Sequence, residues 1–277
     1  MPEVASISGA ALVDVSSIDE VVKVDIASFS GIDFPSSSII TAGLIQHYDI
    51  SNSSSYPGTG TALTDLSTQG VDGVLVNGVG YSSSDGGYLT FDGTNDYISV
   101  SFAKAAPLRI TTAELASDGF TVQMWVKPSL SNNRGIWTSN RGYPDTNYQG
   151  IQTQIQSSGA IVSHVFDGSG AGPGDRRTVI SSSGQAIANV WQLLTWAMKG
   201  ADGSSYALYK NGTALTGSSV TGTATTLGYD GSNDGSMGQA GTAYYNGDIG
   251  GVMVYDYQLT AAEVTTNFNA TKTRYGL

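Results

Sequence analysis

Cysteine is missing from the 277 residues, which removes disulfides, thiolate zinc sites and a cysteine nucleophile from consideration. Stability must come from packing and backbone pairing. Charge is scarce too: Asp, Glu, Lys and Arg together make up 13%, about half the usual share. Cations are the scarcer sign, 12 Lys and Arg against 23 Asp and Glu, giving a formal net charge of −11. Such a field repels a phosphate backbone and an anionic membrane surface, so neither nucleic acid nor membrane is an expected partner. No run approaches the ~18 apolar residues that a membrane span requires. The opening M-P-E-V-A-S-I-S-G has neither a basic nor an apolar segment, so no secretory signal is recognisable and export is not expected. Also wanting are the Ala, Glu, Lys and Leu at helical spacing that a bundle or coiled coil needs.

What the chain does have is glycine, 36 residues, about twice the usual share. With 15 Tyr and 40% hydrophobic residues, it can bury a sizeable core. Together with many Ser and Thr, this composition predicts short strands joined by turns.

The first forty residues carry a repeat. V-A-S-I-S-G-A at Val4–Ala10, V-S-S-I-D-E-V at Val15–Val21 and I-A-S-F-S-G-I at Ile26–Ile32 recur every eleven residues. Each copy holds an apolar anchor (Ile7, Ile18, Phe29), and Asp14 and Asp25 share the spacing. Small polar residues and glycines disfavour a right-handed eleven-residue coiled coil. Short strands fit better, but three units hold too few apolar side chains for a core of their own. Residues 1–42 therefore read as a β-rich arm that docks on its own domain, on sister subunits or on another protein. We take assembly as its expected role, with Ile7, Ile18 and Phe29 as the buried side chains. Pro35 and Ser36–Ser38 punctuate the chain before the boundary near Thr41.

From Gly43 to Leu277, short alternating segments recur between glycine-rich turns, as in an all-β antiparallel sandwich. In F-T-V-Q-M-W-V-K, Phe120, Val122, Met124 and Val126 share one face; Thr121, Gln123, Trp125 and Lys127 share the other. Pro128 ends that strand. W-Q-L-L-T-W-A-M at Trp191–Met198 reads as a central strand, with Trp191 and Trp196 in the core. Tyr206–Lys210 and Thr213–Leu215 flank Asn211-Gly212, a strong hairpin signal. Gly250–Tyr257 is a further strand, approached through an Asn246-Gly247-Asp248 turn. Thr260 and Glu263 form a capping box for one short C-terminal helix, with Val264 and Phe268 on its packing side. Ala103–Ser117 carries no assignment.

In this order, G-L-I-Q-H-Y-D-I at Gly43–Ile50, Y-P-G-T-G-T from Tyr56, L-V-N-G at Leu75–Gly78, G-G-Y-L-T-F-D-G-T-N-D-Y-I-S-V at Gly86–Val100 and the segments above resemble the laminin-G-like or concanavalin-A-like jelly-roll family. The resemblance spans 43–277. The Y-P-G-T-G, F-D-G-T-N-D-Y and terminal N-F-N-A-T-K-T-R-Y-G-L segments, with the S-I-S-G repeats, look most like virion proteins of bacteriophages and marine cyanophages. It implies a two-sheet jelly roll that often binds glycans or serves as a contact module, located in a virion.

An enzyme of this fold class would be a glycoside hydrolase, whose two carboxylates sit about 5–5.5 Å or ~6.5–9.5 Å apart. No strand offers an E-x-D-x-E cluster, and Glu occurs only at Glu3, Glu20, Glu114 and Glu263. A non-enzymatic protein is expected. His47 and His164 lack a motif tying them to Ser or Asp and read as structural. Some relatives use calcium, and two turns offer hard oxygens for it: Asp92, Asn95 and Asp96, and Asp230, Asn233 and Asp234. Asp and Asn beside Gly also cap tight turns. That reading is preferred, and no cofactor is expected. Ser131–Gly150 mixes aromatic and polar groups as a glycan site does. There Trp137, Tyr143 and Tyr148 are candidates to stack on a sugar, and Arg141, Asp145 and Asn147 to hydrogen-bond it; a loop packed on the rim or on a neighbouring subunit is the other reading. The expectation is a virion structural protein, a capsid decoration or fibre-like component, that partners other virion proteins and copies of itself. A tail component, a non-viral carbohydrate-binding adhesin and a glycoside hydrolase are the alternatives.

Overall fold

The computed structural model describes residues 28–29, 32–33, 38–131, 134–140, 148–170, 174–200, 202–203, 205–229, 233–240 and 243–277. The chain divides into two units, Met1–Ser36 and Ser37–Leu277. In the first, strands Ser28–Phe29 and Ile32–Asp33 pair antiparallel, with Phe29 opposite Ile32. Ile7 and Ile18 lie outside the described residues, as does the side chain of Phe29.

The second unit is an all-β sandwich of two antiparallel sheets. Among the described residues, one sheet has eight strands. From its edge run Thr213–Ala214, Ala207–Lys210, Gln192–Met198, Phe120–Pro128, Asn246–Tyr255, Tyr88–Asp92 and Gly80–Ser82. The eighth, Leu44–Asp49, pairs with the later half of Asn246–Tyr255. The nine-stranded sheet runs Ser219–Gly222, Arg176–Ile180, Ile161–Asp167, Gln149–Ile155, Arg134–Thr138, Gly235–Met237, Tyr97–Val100, Gly73–Val76 and Ala62–Leu63.

Alternation assigns the faces. Phe120, Val122, Met124 and Val126 enter the core between the sheets, with Leu194, Trp196 and Met198 beside them and Ile151, Ile155, Ile161 and Val165 from the other sheet. The opposite face of the eight-stranded sheet is buried as well. Trp125, Leu193, Ala197, Met253 and Tyr255 lie there under the helix Ala261–Thr271, which contributes Val264 and Phe268. The predicted capping box starts this helix: the Thr260 hydroxyl accepts from the Glu263 amide, and Glu263 accepts from the Thr260 amide at 2.8 Å. Ile39 and Ile40 pack on the same cluster, four and three residues ahead of Gly43.

Polar groups lock the helix down. Asn267, fully buried, donates through Nδ2 to Gln123 Oε1 (2.5 Å) and to the Tyr255 hydroxyl (2.9 Å), and its Oδ1 accepts from the Ile40 amide (2.8 Å). Trp125 donates to Thr271 at 2.8 Å and its ring stacks on Tyr275, centroids 4.1 Å apart. Arg274 then ties the tail to the sheet through Asp49 and the Gly250 carbonyl.

The hairpin forms at Asn211-Gly212, both in the left-handed region (φ 51° and 79°) as a two-residue turn of this kind requires. One expectation is revised and one gap is filled. Asn246-Gly247-Asp248 is the start of the strand rather than a turn before it: Gly247 pairs with Phe91 on one side and Pro128 on the other. A side chain at Gly247 would meet the Lys127 carbonyl at 2.5 Å, so glycine is what lets the ladder close there. The unassigned Ala103–Ser117 holds a 3-10 turn, Ala106–Leu108, and a helix, Thr112–Ser117, with its own Thr111–Glu114 capping box. No helix among the described residues is long and apolar enough to cross a membrane.

Asn267→Ala removes three hydrogen bonds at once, including the one to buried Gln123. We expect it to lower unfolding free energy by roughly 2–3 kcal/mol, read as a shift in urea midpoint.

Candidate functional site

Because Ile151, Ile155, Ile161, Val165 and Val179 face the core, their alternates Gln152, Gln154, His164, Phe166 and Thr178 face outward from the nine-stranded sheet. Register brings them together: Gln152 lies opposite His164, and His164 opposite Thr178. His164 Nδ1 is 2.8 Å from Thr178 Oγ1 and Nε2 is 3.3 Å from Gln154 Oε1. The neutral Nε2–H tautomer satisfies both, accepting from the threonine and donating to the amide. Burial, and then the Arg176 charge, push the imidazole down to about 3. This histidine is a fixed neutral spacer.

The imidazole lies 5.5 Å from the Phe166 ring, and Tyr148 stacks on Phe166 at 5.3 Å and 25°. Tyr148 is half-buried at the start of Gln149–Ile155, its amide donating to the Gly170 carbonyl (3.3 Å). Beside it, Ser169 Oγ lies 2.7 Å from an Asp167 oxygen and 3.2 Å from an Asp175 oxygen, its one hydrogen shared between them. An aromatic ring thus stands next to two carboxylates and a hydroxyl at one end of the face. Further along, the hairpin of Gln239–Ala240 and Ala243–Tyr244 lies over the sheet. A side chain at Gly135 would overlap the Ala240 methyl at 2.1 Å, which is why glycine sits under it.

Of the residues singled out in the sequence, Tyr148 is at this end of the face. Trp137 is not available to a ligand: it is 1% exposed, packs 5.7 Å from Phe120 and donates to Gln46 Oε1 at 3.0 Å. The cause is an irregularity between Gly135 and Trp137 that turns the indole into the core. Arg141, Tyr143, Asp145 and Asn147 lie outside the described residues. Phe166 and His164 were missed, although I-V-S-H-V-F-D alternates with Ile161 and Val165 inward and so places both on the opposite side of the sheet, where neighbouring groups bury them.

The acidic turns serve the backbone. Asp92 Oδ1 accepts from the Thr94 amide at 2.7 Å, and Asp96 Oδ2 from the Asp92 amide at 3.2 Å. Asp234 accepts from Ser99 Oγ (3.1 Å) and the Phe102 amide (2.8 Å); Asp230 lies outside the described residues. Among the described residues, no three His, Asp or Glu side chains converge as a metal site would need. At the sandwich rim, a recess of about 330 Å³ is lined by Gln69, Arg109, Glu114, Asp118 and Asp256 among others. Burial, with Asp118 and Glu114 adding to it, raises the Asp256 carboxyl.

Two antiparallel sheets, one sealed by a helix and the other presenting polar and aromatic groups outward, define a lectin-type β-sandwich. Residues 92–265 match the family described as the Concanavalin A-like lectin/glucanases superfamily, and the chain belongs to it. No curated protein matches the sequence. Similar solved structures include Trypanosoma rangeli sialidase in complex with sialic acid, at TM-score 0.56 and 14% identity over 86% of this chain and 34% of that one. The receptor-binding domain of botulinum neurotoxin type G gives 0.53 and 16%, over 82% and 51%. Domain 4 of AbnA, a GH43 extracellular arabinanase from Geobacillus stearothermophilus, in complex with arabinotriose, gives 0.52 and 16%, over 82% and 98%. This chain thus spans about a third of the sialidase and half of the toxin domain. At these identities the likeness is one of fold.

Below the unfolded histidine value of 6.5 the unfolded chain takes a proton that folded His164 refuses until about 3. Its contribution therefore falls as pH drops through that window, by at most about 1.4 kcal/mol per unit. Urea titrations of wild type and His164→Gln across the window are expected to differ in slope, the variant being flatter.

Proposed function

We propose that this chain is a non-enzymatic virion structural protein whose sandwich holds glycans at the Tyr148 end of the nine-stranded sheet and whose N-terminal arm docks on other virion proteins. The observation that carries the glycan reading is the Tyr148–Phe166 stack beside Asp167, Ser169 and Asp175. An aromatic ring supplies a sugar with an apolar face, and the carboxylates and hydroxyl accept from its hydroxyl groups. The sialidase and arabinanase structures, in complex with sialic acid and arabinotriose, support the same ligand class.

A binding role is favoured over hydrolysis by where glutamates go. Glu114 and Glu263 each accept from a helix N-cap amide, at 2.7 and 2.8 Å. Glu3 and Glu20 belong to the arm unit. The virion location rests on the eleven-residue repeat and on the resemblance of Y-P-G-T-G and F-D-G-T-N-D-Y to phage virion segments. A carbohydrate-binding module outside any particle is the second reading, favoured by the arabinanase domain, 98% of which the chain covers.

On a glycan array the intact chain is expected to bind at least one glycan, and Tyr148→Ala to weaken it about tenfold, ~1.4 kcal/mol. No binding by the intact chain sinks the glycan reading. Deleting residues 1–36 is expected to remove the protein from purified particles while circular dichroism keeps the β signal; undiminished incorporation would refute the arm.

A further inference from the structure

Three Asn-Gly pairs occur in the chain, at Asn77-Gly78, Asn211-Gly212 and Asn246-Gly247. This dipeptide is the one most open to deamidation, because glycine places no side chain between its amide nitrogen and the asparagine carboxamide. The fold treats the three unequally. Asn211 is fastened on both sides: its amide donates to the Leu193 carbonyl and its Oδ1 accepts from the Leu193 amide, each at 2.9 Å. Gly212 lies under the C-terminal helix, its carbonyl accepting from Thr265 at 3.1 Å. Asn246 and Gly247 sit in a strand laddered on both sides, which fixes the backbone on which cyclisation would have to occur.

Asn77-Gly78 differs. Both residues are exposed, in the crossing between strand Gly73–Val76 and strand Gly80–Ser82. Asn77 has φ 63° and Gly78 φ 99°. The Asn77 side chain donates to the Asn95 carbonyl at 3.0 Å through Nδ2, the nitrogen that departs in the reaction. A side chain at Gly78 would find its nearest neighbour, Asp96 Oδ1, at 3.8 Å, so little packs against this residue.

We infer that Asn77 is a self-modification site, which converts to aspartate and isoaspartate in the folded protein while Asn211 and Asn246 persist. The Gly78 nitrogen attacks Asn77 Cγ. The new C–N bond forms as the Cγ–Nδ2 bond breaks, and Nδ2 leaves as ammonia with the proton lost by the Gly78 nitrogen. Water then opens the succinimide at either carbonyl, leaving a carboxylate where an amide stood. The product can no longer donate to Asn95, and it sets a new negative charge near Asp96, whose carboxyl burial already raises. The turn joining strands Tyr88–Asp92 and Tyr97–Val100 is expected to loosen.

The test is a peptide map of the full chain after prolonged incubation in mildly alkaline buffer, native and in concentrated urea. In the native sample the Asn77 peptide is expected to gain one dalton at least about tenfold faster than the other two, with all three converging in urea, since local structure sets access. Native rates that are equal, or an Asn77 peptide unchanged while another converts, would overturn the inference. So would the same ranking in urea, which would trace it to sequence rather than to fold.

Discussion

The outer face of the eight-stranded sheet is greasy, and the rest of the architecture follows from how it is covered. Trp125, Leu193, Met253 and Tyr255 project away from the core between the sheets and would otherwise meet water. One short helix and the tail behind it close over them. Eleven residues of helix cannot hold themselves together in water, so the helix is stable only as a lid, fixed by Val264 below and Asn267 at its centre. Asn267 binds Gln123 in the sheet and Ile40 in the leading segment. A single carboxamide thereby makes the two ends of the sandwich domain one structure. With that face occupied, the nine-stranded sheet is the one whose outer side is left to do something else.

Strand positions and face assignments were readable to the extent that alternation was clean. Phe120–Lys127 alternates perfectly, and its two faces went to the two clusters as read. Asn211-Gly212 dictated its turn because few other pairs accept positive φ twice in succession. Asn246-Gly247-Asp248 misled for the same chemical reason: the residues that make turns also permit close backbone approach, and only the partner strands decide which is meant. Trp137 misled differently. An irregularity at Gly135–Trp137 reverses the side-chain alternation, and no local pattern announces it. Thr111-x-x-Glu114 was legible and overlooked, a capping box as plain as Thr260-x-x-Glu263.

The outward face of the nine-stranded sheet was harder to foresee because its character is set by pairing across strands. Gln154, His164 and Thr178 come from three strands that are ten and fourteen residues apart along the chain. Each alone is an unremarked polar residue. Only the ladder register makes them one hydrogen-bonded row, beside Phe166 and the Tyr148 ring stacked on it. The direction of the bonds in this row depends on a histidine that burial keeps neutral. A charged imidazole would have to donate from Nδ1 to Thr178 Oγ1 and not accept from it, turning that bond round.

That dependence bears on what such a surface can recognise. Its groups are amides, hydroxyls and rings, with the Arg176 cation opposite Phe166 and Asp167 and Asp175 as nearby acceptors, on a chain whose net charge is −11. Long-range attraction cannot gather an anionic ligand against that field. Selectivity would then arise from shape and hydrogen-bond direction, and the contact from one ring with a few polar neighbours is weak by nature. Weak single contacts are useful when many copies act together, since linked sites gain avidity without any new interaction. On the proposed reading, a leading unit that held many copies in place would let the sheet face contribute only a little binding free energy each time.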